Sequence, residues 1–104
     1  MVHGCFSPGT TPTHTFTLPF EEELVADLRI TYSQNKKTIF TKHKADVEID
    51  GNDINVTLTQ EETFRFKEKK LVFVQLKIKT VDDQVFNSDL IIMRVEPALD
   101  NEVI

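Results

Sequence analysis

The chain has no tryptophan, one cysteine, three glycines and no apolar run near the ~20 residues that span a bilayer. Each scarcity excludes something. A lone Cys5 cannot close an internal disulfide, so the chain does not read as a disulfide-stabilised secreted domain. The start lacks the charged segment and continuous apolar core of a signal peptide. A reducing compartment follows as the default, most simply the cytoplasm, with no membrane association expected. Without tryptophan, the core must rest on the eight phenylalanines together with Leu, Ile and Val. With so few glycines, Asn and Asp must carry many turns, because they tolerate left-handed backbone better than other side chains. Basic excess is also missing. The net charge of −5 runs against a phosphate-binding face, so no nucleic-acid partner is expected.

What is present fits one small domain. A chain of 104 residues can bury a core without metals or disulfides. Residues 1–12, with two Pro and two Gly, show no periodicity and read as an extended N-terminal arm. Residues 13–97 read as the domain, and 98–104 as a C-terminal tail with apolar residues at its end.

Within the domain, alternation dominates. Thr13–Leu18 places Phe16 and Leu18 opposite Thr15 and Thr17, and Pro19 ends that strand. A short turn near 20–24 precedes a strand over 25–33 with Leu28, Ile30 and Tyr32 on one face. A polar turn at 34–37 leads to a strand at 38–42. Residues 46–58 read as a hairpin around Asp50-Gly51-Asn52-Asp53. Thr59-Gln60-Glu61-Glu62 matches a capping box and predicts a helical turn at 60–64 that carries Phe64 and Phe66 inward. Lys67–Lys70 reads as a solvated turn. The longest strand is 71–80, with Val72, Val74, Leu76 and Ile78 on one side. Residues 85–88 and 90–95 supply the last strands before Pro97. No segment of helical length has helical periodicity. Strands at this spacing with turn signals argue a sandwich or barrel, and the expectation is an all-β antiparallel β-sandwich of about seven or eight strands with one short helical turn; the resemblance given below implies that it is immunoglobulin-like.

Chemistry-bearing residues do not converge. His3, His14 and His43 lie in different segments. His14 and His43 are read as out of phase with the apolar residues of their strands and are expected to face solvent. Asp50, Asp53, Asp82 and Asp83 lie in turns, where Asp is expected for backbone reasons. The Asp-Gly turn lacks the helices and closing Glu of a calcium loop. No nucleophile elbow, phosphate loop or Cys–His pairing occurs. No catalytic, metal-binding or cofactor-binding residue is therefore assigned, no cofactor is expected, and the chain is read as a non-enzyme.

Glutamine stands beside apolar or hydroxyl residues in Tyr32-Ser33-Gln34, Leu58-Thr59-Gln60 and Val74-Gln75-Leu76. Gln75 lies mid-strand and shares its face with Leu71 and Phe73. That mixture on an outer sheet face makes Leu71, Phe73 and Gln75 the candidate interface, with a protein partner or a second copy of the chain.

The stretches Gly9–Phe20, Asp27–Gln34 and Leu58–Thr63, with the closing Leu99–Ile104, resemble a family of small prophage-encoded proteins of Gram-positive bacteria. More distantly, the strand order resembles the immunoglobulin-like N-terminal domain of phage upper baseplate proteins. The resemblance implies a structural module of a phage tail or baseplate, located in a virion after assembly, with tail proteins as partners; it transfers no catalytic residue. The competing expectation is a carbohydrate- or surface-binding β-sandwich.

Overall fold

The computed structural model describes residues 4–104, and His3 lies outside them. The described residues form nine strands in two sheets. They are β1 (Cys5–Phe6), β2 (Thr13–Thr17), β3 (Val25–Gln34), β4 (Lys37–His43), β5 (Glu48–Asp50), β6 (Asp53–Thr57), β7 (Leu71–Thr80), β8 (Val85–Asn87) and β9 (Ile91–Val95), with an α-helical turn, α1 (Gln60–Thr63), between β6 and β7 and 3-10 turns at Glu22–Leu24 and Lys44–Asp46. The larger sheet has the order β1-β9-β7-β3-β4, and β8 also pairs with β7; the smaller has the order β2-β6-β5. Every pair is antiparallel except β1 with β9.

This connectivity is immunoglobulin-like, of the variable type. In that architecture strands G, F, C and C′ form one sheet and A, B, E and D the other. Here β9, β7, β3 and β4 take the first four places, and β2, β6 and β5 take B, E and D. The place of strand A beside β2 is taken by no strand among the described residues.

Alternation in the sequence accounts for the layers. Val72, Val74, Leu76 and Ile78 of β7 and Leu28, Ile30 and Tyr32 of β3 are buried, and they face Phe16, Leu18, Ile54, Val56 and Leu58 of the other sheet. Polar residues between them lie toward solvent, as a half-buried sheet requires. The turns follow their chemistry. Gly51 alone has positive φ (60°) in the β5–β6 turn, the pattern of a type II′ hairpin with Gly at its first central position. Asn35 and Lys36 both have positive φ (55° and 63°) between β3 and β4, the type I′ pattern. Asp83 (φ 65°) closes the three-residue loop between the paired Lys79 and Val85 side of the next hairpin and the hydrogen bond from Thr80 N–H to Gln84 C=O.

The capping box forms as the sequence predicts. Thr59 Oγ1 accepts from Glu62 N–H at 3.1 Å, and a Glu62 oxygen accepts from Thr59 N–H at 2.9 Å. Glu62 also pairs with Lys42 of β4, clamping α1 to the larger sheet. Phe66 follows into the core, whereas Phe64 is only partly buried and lies over Gly9.

Residues 4–12 differ from the extended arm expected. Cys5 and Phe6 form β1, Phe6 is buried, and its ring meets Phe66 edge-on at 5.2 Å. Gly9 N–H donates to the buried Thr63 hydroxyl, which donates in turn to Thr10 C=O, both at 2.9 Å. A two-residue strand has no periodicity to read, so burial of one aromatic side chain orders it unannounced.

Candidate site: an open strand edge over an uncharged groove

The register of β2 decides which way its backbone faces. Leu18 N–H donates to Asn52 C=O and Leu58 N–H donates to Pro12 C=O, so the even-numbered residues of this stretch turn their backbone groups toward β6. The N–H and C=O groups of Thr13, Thr15 and Thr17 therefore face the opposite edge. Their hydroxyls are engaged across the β2–β6 ladder, with Thr57, Asn55 and Asp53 respectively. The edge thus presents three donor–acceptor pairs of main chain, the arrangement that templates another strand.

Beside this edge a groove of about 660 Å³ runs between the two sheets. β2 forms one wall, from Thr13 to Leu18, continuing to Phe20; β8, β9 and the start of β1 form the other. Leu76, Ile78 and Met93 line its interior, and no Asp, Glu, Lys or Arg does. The Phe20 and Phe86 rings, 5.2 Å apart, close one end. Asn87 and Ser88 lend polarity to the far wall. Ser88 sits in the break between β8 and β9, where it exchanges bonds with β7: Ser88 N–H donates to Leu76 C=O and Leu76 N–H donates to Ser88 Oγ.

His14 belongs to this wall, against the solvent-facing position expected. It precedes Phe16 by two residues and so shares that residue's inward face. Its ring packs against Phe6, Phe16 and Tyr32, and Nδ1 lies 2.7 Å from the Tyr32 hydroxyl. Burial lowers the imidazole pKa from its ordinary value. The Tyr32 phenol is raised, first by burial and then by the negative charge of Glu62. The imidazole tautomer decides which of the two atoms donates, and Nε2 has no hydrogen-bond partner among the described residues. His43 is exposed, as expected.

The candidate interface residues Leu71, Phe73 and Gln75 lie on the outer face of β7, away from the groove. Leu71 is exposed, and Phe73 and Gln75 are half-buried. Phe73 stands in register with Ile92 of β9 and Ser33 of β3. The Gln75 side-chain amide donates to Ser88 C=O at 2.9 Å, so it braces the β8–β9 break. Gln34 and Gln60 are also engaged. Gln34 is buried and exchanges two bonds with the Lys67 backbone, while Gln60 does the same with the backbone of Ile104. Cys5 is an exposed free thiol at the groove margin. Among the described residues no cluster of three metal-ligating side chains occurs, and no helix is long and apolar enough to cross a membrane.

The groove left no linear signature. Sequence shows that Thr13, Thr15 and Thr17 face outward, but not that the neighbouring strand position is vacant.

No family model matches the chain, and no curated protein matches it, so neither comparison supports the prophage or baseplate resemblance. Among solved structures, the chain is similar to the V domain of amphioxus IgVJ-C2 at 10% identity, over 89% of this chain and 98% of that one, with a TM-score of 0.36. That likeness is too loose to carry an argument, and the immunoglobulin-like assignment rests on the strand order itself.

Proposed function

We propose that the chain is a non-catalytic protein–protein interaction module that accepts an extended segment of a partner along the open edge of β2. One observation carries the reading: the outward backbone of Thr13, Thr15 and Thr17 borders an uncharged groove reaching the sandwich interior. Strand addition draws affinity from main-chain hydrogen bonds and specificity from pockets for alternate side chains, and both are present here. The outer face of Leu71, Phe73 and Gln75 is a second contact surface in this reading. A phage tail or baseplate setting draws its support from the sequence resemblance alone.

Selection of a random peptide library against the chain, with a Thr15→Pro variant as counter-target, tests the reading. Proline removes an N–H that faces the open edge and leaves the β2–β6 bonds in place. Selected peptides should alternate apolar residues and shift the amide resonances of Thr13, Thr15 and Thr17. Peptides that bind wild type and variant alike, or that shift only Leu71, Phe73 and Gln75, would overturn it.

A further inference from the structure

The vacant strand position raises the question of what fills it. We infer that its occupant is residues 98–104 of a second copy of this chain; the inference rests on the strand-acceptor reading above and names its partner. After β9 ends at Val95, the chain runs on to Ile104 without joining either sheet. Leu99 and Ile104 are fully exposed, at 104% and 101%, and Val103 is exposed at 51%. A short segment holding three large aliphatic side chains in water is an unsatisfied donor of apolar surface.

Its pattern fits the acceptor. In extended conformation Leu99, Asn101 and Val103 fall on one side and Ala98, Asp100, Glu102 and Ile104 on the other, so Leu99 and Val103 are the aliphatic side chains this contact covers. The first face carries no charge and neither does the groove lining. Leu99 and Val103 suit an interior of Leu76, Ile78 and Met93, and Asn101 suits a wall bearing His14 and Asn87. The two carboxylates stay on the rim, in water. Seven extended residues reach about 23 Å, enough to run the length of β2, which spans roughly 17 Å.

The segment's own contacts place it elsewhere in the same copy. Ala98 N–H donates to Glu68, and the Ile104 backbone is held by Gln60 of α1. The Gln60 bonds are exposed and so are readily exchanged for others. Donor and acceptor are different patches and every copy carries one of each, so two copies that exchange segments reciprocally close as a two-fold dimer, and copies that do not reciprocate propagate into a ring or filament.

Two single-defect variants test this. Thr15→Pro keeps the donor segment and loses the acceptor edge; deletion of 98–104 keeps the acceptor and loses the donor. Sedimentation velocity from about 10 μM to 1 mM covers the affinity range of small interfaces. The full chain should associate into dimers or larger assemblies as concentration rises, and each variant alone should stay monomeric with an unchanged far-UV spectrum. An equimolar mixture of the two should form a heterodimer and nothing larger. A synthetic 98–104 peptide should shift the Thr13, Thr15 and Thr17 amides of the deletion variant, which guards against misfolding of the proline variant. A full chain that stays monomeric throughout, or variants that still assemble, would overturn the inference. If library-selected peptides bind β2 while the 98–104 peptide does not, the strand-acceptor reading stands and the self-donor falls. If neither binds, both fall.

Discussion

The Tyr32 hydroxyl on β3 and His14 Nδ1 on β2 lie 2.7 Å apart and form a polar tie between the two sheets. Tyr32 is fully buried, and its ring also packs against Phe40 and Phe66. Tyr32→Phe keeps that packing and removes only the tie. It should destabilise the fold by about 1 kcal/mol, the net worth of a typical hydrogen bond. Urea unfolding of the two proteins measures it, with an unchanged slope showing that the unfolded ensembles match.

The same pair makes stability depend on pH. Burial depresses the folded pKa of His14 below its ordinary value, so the unfolded chain binds the proton more readily. The stabilisation is complete above the unfolded pKa of about 6.5 and is lost as pH falls toward the folded pKa. Wild type should therefore be less stable at about pH 5.5 than at about pH 7.5, and His14→Gln, which cannot titrate, should show a smaller difference. An equal slope in both proteins would place the dependence in other groups.

Gly9 is confined in two ways. Its φ is +78°, and a Cβ there would stand 2.6 Å from Cζ of Phe64. Gly9→Ala should cost roughly 1–3 kcal/mol through overpacking and left-handed strain together. Gly51→Ala meets open space and bears the φ strain alone, so it should cost less. Thermal melts of the two variants side by side give the comparison.

Lys36 is a place where the chain carries removable strain. It holds φ 63° at the second central position of the β3–β4 turn, after Asn35 at 55°. Lys36→Gly creates the Asn-Gly pair that this turn favours and should stabilise by about 1 kcal/mol. A rise in the melting temperature checks it.

The sequence carries the sandwich more legibly than it carries the site. Alternation in 71–80 assigns Val72, Val74, Leu76 and Ile78 to the core because side chains on a strand switch faces at every residue. The Thr59–Glu62 box and the Gly51 turn are legible because their causes are local. Misreading the phase of His14 hid the tie to Tyr32, although its two-residue spacing from Phe16 holds the signal. β1 is too short to carry a period. The groove was illegible for a different reason: it arises where β2, β8 and β9 meet with no strand between them among the described residues, and a vacancy has no residues of its own.

The open edge of β2 is the centre of this account, and residue-resolved amide hydrogen exchange at low protein concentration tests it most directly. The β2–β6 ladder should protect the amides of His14, Phe16 and Leu18, while those of Thr13, Thr15 and Thr17 exchange freely and become protected as concentration rises. Slow exchange at all six positions in the dilute monomer would mean that the edge is already covered within one copy, and the account would fail.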